Sequence, residues 1–262
     1  MRTLREVEIL RIDVSSRTAN HIKDCVAQER PLHLFLNRTL YATIFCTPSK
    51  LKELAVGHLI SEGIVKSIEE IEAVNLKKNV CRVKLTGSVD LDKRLSLSKH
   101  FRRVILSACG SKETYTPAQR LPRIKSNLTF KAETVLDCVN SLNSVAKIYR
   151  KTGGVHAAAI FTSDGTLMAS AEDVGRHNAV DKVIGIMMRR KIDLGKCILA
   201  LTGRMTGDIV MKAARLGVPV LASMAAAIDS GIAVAKKADL TLVGFVRGKR
   251  MNIYSYPERI LA

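Results

Sequence analysis

The chain has no tryptophan, and aromatic residues make up only 4% of it. The stacking platforms that grip single-stranded nucleic acid would therefore be thinly stocked. Its six cysteines (Cys25, Cys46, Cys81, Cys109, Cys138 and Cys197) stand singly, with no C-x-x-C pair. That spacing suggests neither a disulfide framework nor a zinc ribbon, and it predicts reduced thiols. No apolar run reaches the roughly 20 residues of a membrane span, and the opening MRTLREVEILRID lacks the apolar core of a signal peptide. A soluble, cytoplasmic protein is expected, with no membrane partner. Acidic residues are also in short supply: 24 Asp and Glu face 42 Lys and Arg, a formal charge of +18.

With 262 residues and 47% hydrophobic content, the chain can bury a full core in one large domain or two unequal ones. The charge points to an anionic partner without naming it. Nucleic acid, a phosphorylated cofactor and an acidic protein surface all fit, as does a general solubility trait.

Along the chain, residues 3–13, LHLFLN and LYATIFC read as strands, the last two joined across Asn37 and Arg38 as a hairpin. A helix should follow, with Thr47 as N-cap, Pro48 at its first position and Gly63 at its end. Short strands at IEAVNL and VCRVKL complete an N-terminal α+β lobe over 1–87. Between 88 and 130 periodicity fades, Lys99, Arg102, Arg103, Lys112, Arg120, Arg123 and Lys125 accumulate, and Pro117 and Pro122 break regular structure. This basic linker carries Cys109. Its neighbours Ala108 and Gly110 are too small to cover a sulfur, and Lys112 brings positive charge near it. A reachable thiol is expected, with a solvated basic loop as the bland alternative.

From 131 to 262 helix and strand alternate, predicting an α/β domain. Val135, Cys138, Val139, Leu142, Val145, Ala146 and Tyr149 form one helical stripe closed by Gly153 and Gly154, which makes Cys138 a core residue. HAAAIF and TLMASAE flank Ser163-Asp164-Gly165 as a hairpin. Helices near 178–190, 207–216 and 226–237 then interleave with strands CILAL, PVLA and LTLVGFV.

Four stretches carry chemistry. EDVGRHNAVDK (172–182) gathers polar side chains at a strand end and helix start, where α/β proteins place ligands. If the helix begins near Arg176, His177 and Asp181 share a face, so that the carboxylate can orient the imidazole; the alternative is a cap plus exposed ion pairs. TGGVHAAAIF offers Gly153 and Gly154 for backbone approach to an anion, then His156, although a helix-ending glycine and a core histidine fit equally. LTGRMTGDIVMKAARLG is strand, glycine-rich turn and helix, capped by Thr206, with Arg204 beside free N–H groups in an anion site, unless Asp208 alone answers the dipole. It matches neither the Walker nor the Rossmann fingerprint. FVRGKR ends the last strand with Arg247, Lys249 and Arg250, able to clamp phosphate or simply to be solvated.

Taken together, E-x-P-L (Glu29 to Leu32), the run from Thr47 to Gly63, the Cys-Gly at 109–110, TGGVHAA, EDVGRHNAVDK, TGR and the final F-x-R stretch resemble the formate dehydrogenase accessory sulfurtransferase family, FdhD. The resemblance spans nearly the whole chain in order. It implies a cytidine-deaminase-like α/β domain, a tendency to dimerise, and transfer of persulfide sulfur from a cysteine desulfurase to the molybdenum bis(pyranopterin guanine dinucleotide) cofactor before that cofactor enters formate dehydrogenase. It also implies that Cys109 bears the persulfide and that Phe245, Val246, Arg247, Gly248, Lys249 and Arg250 bind the cofactor. Gly153, Gly154, His156, Arg176, His177 and Arg204 would complete the pocket, and guanine nucleotide would mimic the cofactor there.

One departure stands out. The family's second cysteine, three positions after the first, is here Lys112. A lone thiolate can still accept and pass a sulfane sulfur, and Lys112, Arg102 and Arg103 would favour the thiolate. Zinc deaminases need H-x-E and P-C-x-x-C, whereas Ala157 and Ala158 follow His156 and no C-x-x-C occurs; neither zinc nor deamination is expected. Two rival readings are a molybdenum-cofactor chaperone without sulfur transfer, supported by Lys112, and a basic nucleic-acid binder, supported by charge alone.

Overall fold

A computed structural model describes residues 2–91, 94, the backbone of 103–105, and 122–262. Cys109, Lys112 and Arg102 lie outside the described residues.

The chain opens on an antiparallel ribbon, β1 (Leu4–Asp13) and β2 (Thr18–Ala27), paired along its full length and joined to no other sheet. A five-stranded sheet follows, built from β3 (Arg30–Leu36), β4 (Thr39–Cys46), β5 (Ile71–Lys77), β6 (Val80–Leu85) and β7 (Arg103–Ile105) in the order β5-β6-β3-β4-β7. Its alternation is that of a half-buried sheet: Leu32, Leu34 and Leu36 point inward from β3 and meet Leu54 and Leu59 of α1 (Leu51–Ser61). At the β3–β4 turn Asn37 adopts φ 52°, a conformation asparagine tolerates, and its side chain accepts the Leu85 N–H at 3.0 Å.

The second unit is a six-stranded mixed sheet of β9 (His156–Thr162), β10 (Leu167–Asp173), β11 (Cys197–Leu201), β12 (Val220–Ser223), β13 (Thr241–Arg247) and β14 (Arg250–Ser255), ordered β10-β9-β11-β12-β13-β14. The strands β11, β12 and β13 run parallel. The continuous apolar run CILAL suits a strand covered on both faces. Ile198 and Ala200 pack with Val135, Val139 and Leu142 of α2 (Ala132–Val145). Leu199 and Leu201 join the core of α4 (Arg176–Arg189), α5 (Gly207–Arg215) and α6 (Asp229–Lys237) on the other face. A short α3 (Lys147–Thr152), a parallel pair, β8 (Phe130–Lys131) with β15 (Ile260–Leu261), and two single 3-10 turns (Ile68–Glu70 and Pro257–Arg259) complete the described elements.

Helix α4 is covered on both sides because α1 packs against it. Glycines make this crossing close: a methyl group at Gly57 would overlap the Asp181 carbonyl oxygen, and one at Gly185 would overlap that of Glu53. Two buried ionic networks fasten the same junction. Lys182, fully buried, pairs with Asp173 at 2.5 Å and donates to the Thr47 carbonyl at 2.9 Å; the Thr47 N–H donates to Asp173 Oδ2 at 3.1 Å. Lys212 lies 2.9 Å from Asp181 and 2.5 Å from Glu62, and the Asp181 carboxylate also accepts the Ser61 hydroxyl at 2.6 Å and lies 3.2 Å from His58 Nδ1. Burial opposes both charges. The attraction outweighs it, holding the Asp181 carboxyl below its usual range and Lys212 above its own.

Several expectations are corrected. Thr47 is not the cap of α1, which starts at Leu51 behind Lys50 in the left-handed region at φ 52°. Thr47 is committed elsewhere: its N–H and carbonyl bind the network above, and its hydroxyl accepts the Val174 N–H at 3.1 Å. The stripe from Val135 to Tyr149 breaks at Ala146, because a new helix begins there, with the Glu172 carboxylate accepting the N–H groups of Ile148 and Tyr149. Asp181 orients His58 rather than His177. Thr206 occupies the N-cap position of α5 without making a cap bond; the Gly207 N–H is taken by the Ser230 hydroxyl at 3.2 Å. Within 88–130, β7 joins the N-terminal sheet and Arg94 pairs with Glu70 at 2.5 Å.

Gly57→Ala should cost at least about 3 kcal/mol, read from the urea midpoint, because backbone atoms must move to admit the methyl group. Lys212→Met should cost about 3–5 kcal/mol by leaving Asp181 charged and buried, and Lys212→Met with Asp181→Leu should recover most of it. The native pair binds no proton where the unfolded Asp does, so its stabilisation is complete above the ordinary Asp pKa of about 4 and fades as pH falls through the lower folded value. On the alkaline side it persists up to about 10.4 and fades as pH rises through the higher folded value of Lys212, which a titration of stability against pH checks.

Candidate functional site

Strand β9 runs antiparallel to both β10 and β11, so its start lies beside their ends: Asp173 of β10 faces His156 in register, and Leu201 of β11 faces Ala158. The ends of β12 and β13 lie along the same border, since Leu201 pairs with Ser223 and Arg247 with Arg250. The stretches singled out in the sequence of the second unit therefore open on one edge of one sheet. Gly153 and Gly154 are exposed ahead of β9, Gly153 with φ 64° ending α3. Arg176 and His177 begin α4, Arg204 follows β11, and Arg247 to Arg250 turn between β13 and β14.

The turn after β11 is built around a small residue. A Cβ on Gly203 would lie 2.9 Å from Arg176 Cβ and 3.4 Å from His156 Nδ1, so only glycine lets these two side chains pack over the backbone. Thr202 holds the neighbouring strand by accepting the Ala157 N–H at 3.0 Å, and its hydroxyl lies 3.4 Å from His156 Nδ1. Burial, followed by the charges of Arg176 and Arg204, pushes the His156 imidazolium toward its neutral form. Burial also pushes His177 down to about 4, with Lys212 and Arg176 adding to it. Both rings are neutral at pH 7. Positive potential at this edge thus comes from the guanidinium and ammonium groups, while the imidazoles offer uncharged hydrogen-bonding nitrogens.

The last hairpin is irregular. Its register shifts between Gly244 and Arg247, and Phe245 stands at φ 50° with 38% of its surface exposed. An aromatic residue held in the left-handed region is strained, and here the strain turns the ring outward. The Phe245 N–H is fixed by the Ala225 carbonyl at 3.0 Å, and Arg247 Nε donates to the Met224 carbonyl at 2.9 Å, with its guanidinium 6.0 Å from the Phe245 ring. Of this stretch Val246 alone turns inward, where it packs in the α2 core, and it presents nothing to a ligand. Arg247, Gly248, Lys249 and Arg250 are exposed.

EDVGRHNAVDK thus divides its labour. Asp173, Asn178, Asp181 and Lys182 are buried ties between the two units, Glu172 caps α3, and only Arg176, itself buried, and the half-buried His177 belong to the edge. Thr202 and Gly203 went unnoticed as site residues. The signal was present in LTGR: a glycine between a strand end and a cation. Among the described residues no group of three His, Cys, Asp or Glu side chains is placed to hold a metal ion, and no described helix is long and apolar enough to cross a membrane. Four described thiols are buried, Cys138 in the core as its stripe implied. Burial pushes Cys46 to about 12, Cys81 to about 11 and Cys138 to about 12, and raises Cys197, which makes all four inert at neutral pH.

Comparison with known proteins agrees with the motifs. The model of the FdhD/NarQ family matches residues 27–261. The sulfur carrier protein FdhD of Sulfolobus acidocaldarius is 36% identical over 260 residues, covering 98% of each chain. That of Staphylococcus haemolyticus is 37% identical over 244 residues, covering 91% of this chain and 90% of the other. The crystal structure of a candidate formate dehydrogenase accessory protein from Desulfotalea psychrophila superposes with a TM-score of 0.79 at 25% identity, covering 99% of this chain and 100% of that one. A match of this length places the chain in the FdhD/NarQ family.

Proposed function

We propose that this chain is a sulfur carrier serving formate dehydrogenase, with the molybdenum bis(pyranopterin guanine dinucleotide) cofactor as its cargo. The observation that carries this reading is the gathering of Arg176, Arg204, Arg247, Lys249 and Arg250 with two glycine turns and two neutral histidines on one border of the second sheet. Pyrophosphate needs multiple cationic donors and close backbone approach, and this edge supplies both. The relatives named sulfur carrier protein support the chemistry. The strand order, with a leading antiparallel hairpin followed by parallel strands, suits the cytidine-deaminase-like fold that the motifs suggested.

Cys109 is the residue assigned to the sulfur. Its thiolate attacks the terminal sulfur of a persulfide on a cysteine desulfurase, the donor's S–S bond breaks, and the donor cysteine leaves as a thiolate. The carrier then holds Cys–S–SH; an electron pair supplied by the bound cargo attacks the outer sulfur, the S–S bond breaks, and its bonding pair returns to Cys109 as the thiolate. The four buried, high-pKa thiols make poor substitutes. Arg204 and the Arg247–Arg250 turn hold the phosphates, Gly203 keeps the turn low enough for His156 and Arg176 to reach over it, and His177 contributes an uncharged nitrogen. A homodimer in the cytoplasm is the expected working form. The rival chaperone reading, which rests on Lys112, differs in one respect only: it needs no thiol.

Incubation with cysteine and a desulfurase, followed by mass spectrometry, should place one additional sulfur on Cys109, and Cys109→Ala should lose that label and fail to mature formate dehydrogenase. Maturation that survives the substitution would favour the chaperone. Arg204→Ala and Arg250→Ala should each weaken binding of a guanine nucleotide about tenfold by calorimetry, the loss of one charge-assisted contact of about 1.5 kcal/mol. Because burial pushes His156 and His177 toward their neutral forms, affinity should stay level from about pH 8 to about pH 7 and fall with added salt; affinity that climbs over that range on acidification would remove the assignment of neutral rings.

A further inference from the structure

The far end of the α1–α4 crossing gathers a second set of cations, away from the candidate site. The two helices run antiparallel, since the backbone at Gly57 lies against Asp181 and that at Gly185 against Glu53. The 14 residues of α4 carry the chain about 21 Å from Arg176 before it reaches this end. A cavity of about 430 Å³ opens there, lined by Lys50, Glu53, Ile186, Arg189 and Arg190. That volume falls among the roughly 300–1,000 Å³ of small-molecule sites.

The charges lining it do not balance. Arg189 pairs with Glu53, and the two remaining cations leave the cavity at a net +2. Arg190 is held in place by a neutral acceptor, donating through Nη1 to the Met168 carbonyl at 2.9 Å. The Lys50 ammonium has no hydrogen-bond or ion-pair partner among the described residues. A solvated basic face spreads its cations apart, whereas here they come from two helices onto one depression, a cost in repulsion that a bound anion removes.

Charge and shape together select the ligand. A net +2 is matched by a phosphate monoester, which carries close to two negative charges at pH 7. A guanidinium takes two of its oxygens at once, and an ammonium takes a third as a point charge. A bare phosphate, worth a few water volumes of about 30 Å³ each, would leave most of the space empty. Ile186 gives that space an apolar wall for an organic group.

We infer that this cavity binds a small organic phosphate monoester, its phosphate held between Lys50 and Arg190 and its carbon portion against Ile186. The site differs from the sheet edge in place and in ligand, and it does not depend on the sulfur chemistry. Because Lys50 precedes α1 and Arg190 follows α4, the ligand also bridges the two helices and adds a tie to their crossing.

Calorimetry and melting of the full chain with ribose 5-phosphate test this. One equivalent should bind with a dissociation constant of about 1 mM or tighter, and the melting temperature should rise with its concentration, both effects shrinking in salt. Ribose should not bind, and inorganic phosphate should bind more weakly than the ester. Lys50→Ala and Arg190→Ala should each weaken binding about tenfold, and Lys50→Arg should retain it. Lys50 has no partner to lose, so without ligand its alanine variant should melt as the native chain does. Arg204→Ala with Arg250→Ala should leave ester affinity unchanged. Sulfur loading at Cys109 should persist in Lys50→Ala, which separates a failure here from a failure of the carrier reading. No binding at about 10 mM ester, an ester no tighter than inorganic phosphate, or an affinity unmoved by Lys50→Ala overturns the inference. So does an affinity lost with Arg204 and Arg250, which would seat the ester at the sheet edge.

Discussion

The packing of α1 against α4 is the constraint on which the molecule depends. Helix α4 begins at the candidate site and is covered by its own sheet on one face and by α1 on the other. The absence of side chains at Gly57 and Gly185 allows the approach, and the two buried lysine–aspartate pairs hold it. Buried ion pairs are weak evidence for net stability, since desolvation offsets much of their attraction. What they supply here is register. Lys182 reaches the Thr47 carbonyl, 135 residues away in sequence, and can do so in one placement of the N-terminal sheet only.

That arrangement explains why so polar a motif contributes so little to the site directly. In EDVGRHNAVDK, the side chains facing the N-terminal unit are consumed by it, and Arg176 and His177 remain at the edge. The edge itself follows from topology. Strand β9 runs against β11, so the glycine turn before it comes to lie with the carboxyl ends of the parallel strands. Cations spread along the sequence from Arg176 to Arg250 thereby share one border.

Much of this was legible in the residues. The alternation of LHLFLN and the apolar run CILAL reported half-covered and doubly covered strands, and Cys138 was recognisable as core from its helical stripe. The motifs alone sufficed to indicate the family. Other features left no local trace. In TANHIKDC the strand β2 is exposed from Thr18 to His21 and no more than half-buried at Ile22, Asp24 and Cys25, so burial imposes no strong alternation on it. Thr47 read as a helix cap because Ser, Thr, Asp and Asn before a proline usually are caps, and its true partners lie more than 120 residues downstream. Asp181 sits four residues after His177, yet it serves His58, Ser61 and Lys212. Local spacing finds neighbours on one helix; it does not rank them against groups arriving from another.

Because bare peptide meets bare peptide where α1 crosses α4, the gap between the two sheets is gauged by the thickness of main chain and not by any choice of rotamer. Leucines and valines within either core do not set that distance, so the place from which Arg176 extends is referred to the backbone of α1 and not to their packing.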